Sequence, residues 1–207
     1  ERVREMGAEI YENRPVTGFD VADGKVRAVK TTAGDFEANE VILAAGAWTP
    51  VVARDLRMNI PVQPARGYSL AMSATQNMPG RALLLGERRV AVTPMGDLLR
   101  FTGKLELSNI DTTVNPKRIA DIERAVREYI QLDEKLDIKE TWVGLRPTTP
   151  DGMPIIGRSP RYKNLIIATG HAMLGLALGP GTGQVVAELI NGKETAFDLG
   201  PLRPERF

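Results

Sequence analysis

Arg146 stands in the segment WVGLRPTTPDGMPIIG, residues 142–157, where three prolines and three glycines surround one guanidinium. Pro147 disfavours helical geometry at the residue before it, so Arg146 is expected on extended chain entering a rigid turn. A planar five-donor fork whose direction is fixed in this way suits two-pronged capture of a carboxylate. An ion pair with an acid of the same chain is the alternative use. A second segment, KNLIIATGHAMLGLALGPGTGQVVAELIN at 163–191, runs an apolar strand (165–168) into a glycine-rich loop and then an amphipathic helix beginning near Gly183. Glycine lets backbone N–H groups approach a ligand closely, and a helix start adds unpaired N–H groups and partial positive charge. Such a cradle suits an aromatic heterocycle that gains negative charge, such as a reduced flavin; tight packing of the chain on itself is the other reason for the glycines. His171, the one histidine, lies in this loop and is a candidate base, with a backbone contact as the alternative.

Several other chemistries are excluded. Gly179, Gly181 and Gly183 alternate and Gln184 holds the sixth position, so the Gly-x-Gly-x-x-Gly phosphate turn is not met, and no Walker pattern occurs. With no cysteine there is no disulfide, thiolate nucleophile or zinc–thiolate site, and one histidine excludes a multi-histidine metal centre. The 207 residues carry a net charge of +1 with the two signs interspersed, which gives no footprint for nucleic acid. No apolar run approaches membrane-spanning length.

The elements that must position these residues can be read from pattern. Residues 2–7 read as the last turn of a helix stopped by Gly7, so the chain is expected to be a piece of a longer one. Residues 8–12, 16–23 and 25–34 read as strands of a β-meander, with a hairpin at Asp23-Gly24. An apolar strand follows at 41–45, then a short helix over 48–56 with Thr49 as N-cap and Pro50 at its first position. Runs at 62–73, 81–86, 88–96 and 97–108 predict an antiparallel sheet. Asn115-Pro116 opens a helix whose Ile119, Ile122, Val126 and Ile130 form one apolar face. A strand over 139–145 leads to Arg146. Trp48 and Trp142 are expected as core residues beside the cofactor rather than as catalytic groups.

The segments WVGLRPTTPDGMPIIG and NLIIATGHAMLGLALGPGTG, taken together, resemble the C-terminal signature of the FAD-dependent D-amino acid oxidase superfamily, nearest to D-amino acid dehydrogenases and glycine oxidases. VILAAGAWTP at 41–50 resembles the family strand that closes on FAD, and PARGYSL at 64–70 the start of its substrate domain. The resemblance implies an α+β fold: part of an FAD-binding domain that lacks its N-terminal Rossmann βαβ unit, plus an antiparallel-sheet substrate domain. The implied boundaries are 1–61 and 141–207 for the FAD-binding part and 62–140 for the substrate domain.

It further implies that Arg146 grips the substrate carboxylate, with Tyr68 and Arg66 as further substrate contacts. Val16, Ala45 and Gly46 would approach the dinucleotide, and Gly170, His171, Ala172, Met173, Leu174, Gly175 and Leu176 the isoalloxazine ring. Gly179, Gly181, Thr182 and Gly183 would lead into a helix aimed at the flavin. No residue is assigned as a certain catalytic group, and no metal is implied. Met173 stands where glycine oxidases carry a second arginine, which implies a more apolar pocket. The implied reaction is hydride transfer from Cα of a D-amino acid to flavin N5, giving an imine and then a 2-oxo acid and ammonia. N-methyl or cyclic amino acids are alternative substrates, and a catalytically inert ligand-binding domain is an alternative role. The implied partners are the substrate, the N-terminal half of the same protein and an electron acceptor not specified by the sequence. Apolar surface left uncovered in such a piece promotes self-association as a homodimer. The implied location is cytoplasmic, with attachment of the parent to the face of the inner membrane as an option.

Overall fold

The computed structural model describes residues 1–74, 78–132 and 136–207. The fold is mixed α+β, as the resemblance implies, and divides into two compact units: Glu1–Val62 with Thr149–Phe207, and Gln63–Thr148.

The first unit opens with α1 (Arg2–Glu5), closed as the sequence predicts by Gly7 at φ +88, with Ala8 N–H donating to Val3 O and Gly7 N–H to Arg4 O. Residues 8–12 form no strand; Ile10 and Tyr11 are exposed, and the Tyr11 ring rests 5.0 Å from that of Phe36. The meander is β1 (Val16–Ala22), β2 (Lys25–Thr31) and β3 (Gly34–Glu37), antiparallel throughout. Asp23 and Gly24 both take positive φ, the conformation a two-residue hairpin turn demands.

A second sheet has the order β10 (Ile155–Arg158), β11 (Leu165–Thr169), β4 (Val41–Leu43), and its β11–β4 pair is parallel. The buried Asn164 joins meander to sheet, its side-chain amide accepting from Val26 N–H and donating to Val26 O. After β4 a 3-10 turn (Gly46–Trp48) leads into α2 (Thr49–Asp55), where Asp55 accepts from Phe19 N–H at 2.8 Å. Thr49 is not the N-cap. It is the first helical residue, and its hydroxyl is engaged by the Thr169 hydroxyl at 2.9 Å. Leu43, Leu56, Ile155, Leu165 and Ile167 form the core of this unit. The last long helix, α4 (Gly175–Ile190), packs on β10 and β11, and Arg158 donates to Leu189 O near its C-terminal end, where a cation is favoured.

The second unit is a five-stranded antiparallel sheet of order β6 (Leu83–Leu85), β7 (Val90–Met95), β8 (Leu98–Leu107), β5 (Gln63–Ser73), β9 (Ile138–Thr148). Helix α3 (Pro116–Arg127) covers one face of it. It opens at Asn115-Pro116 as expected, with Asn115 as N-cap accepting from Lys117 N–H, and its buried Ile119, Ile122, Ala125 and Val126 meet Tyr68, Leu70, Met72, Leu99 and Phe101. Strand β9 pairs with β5 along its full length, so residues 141–148 belong to this unit rather than to the flanking one, which moves the expected boundary at 140/141.

Candidate active site

Alternation along β5 separates two sets of side chains. Tyr68, Leu70 and Met72 point to α3 and are fully or nearly fully buried. Ala65, Gly67, Ser69 and Ala71 point the other way, a row of small residues on the second face of the sheet. In register, Ala65 faces Arg146, Gly67 faces Gly144, Ser69 faces Trp142 and Ala71 faces Glu140. Arg146 leans diagonally across this face. Its Nη1 occupies the space that a Cβ on Gly67 would fill, so the absence of a side chain there is what allows the guanidinium to lie where it does. Opposite, a bulge at Lys104 (φ +64) interrupts the pairing of β8 beside Gly67.

The guanidinium is half-buried, and its Nη1 is buried with no hydrogen-bond partner among the described residues. Burial pushes the Arg146 pKa down from its ordinary value, and no carboxylate among the described residues offsets this. A buried donor left unpaired is costly, and an arginine stays charged in proteins, so the site as built is suited to an anion. The neighbouring cation on the same face is handled differently: Arg100 donates to Glu140 at 2.9 Å, across Ala71.

Two expected substrate contacts are corrected. Tyr68 is 0% exposed in the core beneath α3, and its hydroxyl donates to Glu106 at 2.9 Å. Burial, then the Glu106 carboxylate, raises the Tyr68 pKa. Arg66 donates to Asp111 at 2.8 Å and lies 3.6 Å from Glu106, which also accepts from Arg118 of α3. Positions 66 and 68 alternate with 65 and 67, so neither side chain shares the face of Arg146. The two tryptophans are not core residues either. Trp142 is 54% exposed, its ring lying over Gly144 on the Arg146 face, and Trp48 is exposed as well. The shared parity of 142, 144 and 146 in one strand is the signal that places Trp142 beside the arginine.

In the first unit, the parallel strands β4 and β11 bring their C-terminal ends together. This is the end of an open α/β sheet at which ligands bind. Thr169 ties the two ends, donating to Gly46 O at 3.3 Å besides its contact with Thr49. Ala45 and Gly46 (φ +53) form the turn after β4; Gly170 (φ +79) to Leu174 form the loop after β11. Gly170 is required twice, by its φ and because a Cβ would meet Thr149 Cγ2 at 2.6 Å. Val16 starts β1, exposed, in the meander.

The helix after this loop begins at Gly175, not near Gly183, so Gly179, Gly181, Thr182 and Gly183 are helical positions and not a loop. Pro180 is tolerated inside α4 because the carbonyl that lacks its donor is that of Leu176, a first-turn residue 98% exposed to water. Val185 anchors the helix, and Thr182 is held by His171 Nε2 at 2.9 Å. That bond ties the loop to the helix, and burial lowers the His171 pKa from its ordinary value. No described side chain caps the α4 N-terminus, so its first N–H groups are free to meet an electron-rich edge. Met173, Leu174 and Leu176, all exposed, give the same place an apolar surface.

The chain belongs to the FAD dependent oxidoreductase family, whose model matches residues 1–189, and FAD is the cofactor of that family. The chain is similar to the D-amino acid dehydrogenase of Neisseria gonorrhoeae, with 32% identity over 206 residues, 99% of this chain and 49% of that protein. It is 35% identical over 205 residues to the D-amino acid dehydrogenase of Paramagnetospirillum magneticum, covering 97% and 48%. Of solved structures, glycine oxidase from Geobacillus kaustophilus matches with a TM-score of 0.88 at 27% identity, over 97% of this chain and 54% of the other. L-proline dehydrogenase from P. horikoshii, at 24% identity and a TM-score of 0.88, covering 100% of this chain and 57% of its own, shares the fold. The chain spans about half the length of the curated relatives it matches.

Proposed function

We propose that this chain is the carboxyl-terminal portion of an FAD-dependent dehydrogenase of D-amino acids. The observation that carries the reading is the buried Nη1 of Arg146, without a partner among the described residues, on the face of β5 and β9 opposite α3. A substrate carboxylate supplies the missing acceptor and the missing countercharge together, and so fixes the rest of the substrate relative to the sheet. The first unit contributes to the FAD site through Ala45, Gly46, the 170–174 loop and the N-terminus of α4. Their fit to the cofactor rests on the uncapped helix amides, which favour an anionic edge, and on the exposed Met173, Leu174 and Leu176, which favour a flat apolar ring. The chemistry FAD supplies when bound is acceptance of a hydride equivalent from the substrate Cα. The residues of this chain bind and orient; none need act as a nucleophile. The rest of the protein, and an electron acceptor, complete the enzyme.

The test is Arg146→Ala in the full-length protein. Removing a charge-assisted, two-pronged hydrogen-bond pair from a half-buried site should raise KM for D-amino acids about 100-fold, with Arg146→Lys recovering part of it. An unchanged KM contradicts the reading.

A further inference from the structure

The second face of the five-stranded sheet holds more than Arg146. Trp142 lies two residues before Gly144 on β9, and its ring lies over that glycine: a Cβ built on Gly144 would overlap the six-membered ring of the indole. Gly144 and Gly67 are direct cross-strand partners. The indole and the guanidinium therefore end over the two halves of one glycine pair, positions whose Cβ sites are about 5 Å apart in a sheet. Both members of the pair must be glycine for both side chains to lie down.

The surroundings combine polar and apolar side chains: Ser69 and Thr102 lie level with Trp142 across β5 and β8. On β8, the other neighbour of β5, Leu105 and Leu107 are 53% and 66% exposed, and Leu107 pairs with Ala65 on this face. The carboxylate that shares the face, Glu140, is held by Arg100. A large exposed aromatic beside an unpaired cation, with leucines across the floor, describes a surface for an anion that carries an apolar group.

From this we propose that Trp142 is a specificity-determining residue: its indole receives the side chain of the substrate whose carboxylate Arg146 holds, and it selects carboxylates with an apolar side chain larger than methyl. The proposal rests on the clamp reading of Arg146 and adds the side-chain subsite. An indole that merely shields Gly144 in an edge strand would support folding and would not discriminate between ligands.

The experiment is calorimetric titration of the full-length protein with acetate and with phenylacetate. The native protein should bind phenylacetate more tightly. Trp142→Ala should lower that preference about tenfold while leaving acetate affinity unchanged, and Trp142→Phe should retain most of it. Gly144→Ala, which keeps the indole but displaces its ring, should reduce the preference in the same direction. A phenylacetate-to-acetate ratio unaltered in Trp142→Ala and in Gly144→Ala overturns the subsite while leaving the clamp standing. If the native protein binds neither carboxylate, or if Arg146→Ala binds both as well as native, the clamp itself fails and the subsite with it.

Discussion

The two faces of the sheet around β5 treat arginine in opposite ways. Beneath α3, Arg66 and Arg118 share Glu106, Arg66 also holds Asp111, and Tyr68 closes the network with its hydroxyl. On the other face Arg146 has no acid of its own among the described residues, although its guanidinium is half-buried. The first arrangement is self-sufficient: its charges are matched within the chain, and its function is to fix α3 on the sheet. The second is incomplete without an anion from outside. Two arginines on paired strands, one residue out of phase, thus have different settings, and what distinguishes them is whether a described carboxylate of the chain faces the guanidinium.

Substitutions can sharpen this contrast. Beyond the effect expected of Arg146→Ala, Gly67→Ala leaves the guanidinium in place chemically but puts a methyl where its Nη1 lies. The backbone of Gly67 is ordinary strand, so the chain should fold, while misplacement of the clamp should raise KM about tenfold, measured by steady-state kinetics. On the α3 face the opposite pattern is expected. Tyr68→Phe removes the hydroxyl bond to Glu106 and should lower stability by about 1 kcal/mol in denaturant titration, with KM unchanged within about twofold. A large KM effect from Tyr68→Phe, with none from Gly67→Ala, would reverse the assignment of the two faces.

Much of the fold is legible in the sequence because its signals are local. The Asp23-Gly24 hairpin, the four strand runs from 62 to 108 and the helix opened by Asn115-Pro116 each depend on a few adjacent residues, and each is present in the structure. The start of α4 is not legible, because glycine and proline at 179–183 look like a loop; only the exposed first-turn carbonyl of Leu176 shows why a helix can accommodate them. At the site, the extended setting of Arg146 before Pro147 is legible, and the family resemblance supplies its role. Which face Tyr68, Arg66 and Trp142 occupy is hidden. That depends on the register of β5 with β8 and β9, a nonlocal fact that single-strand patterns do not encode.

The most direct measurement is a crystal structure of the full-length protein with a bound carboxylate such as phenylacetate. The account predicts both carboxylate oxygens at about 2.7–2.9 Å from the Arg146 guanidinium, with Nη1 as one of the donors. A carboxylate bound elsewhere, with Arg146 Nη1 still unpaired or paired to an acid of its own protein, would contradict it.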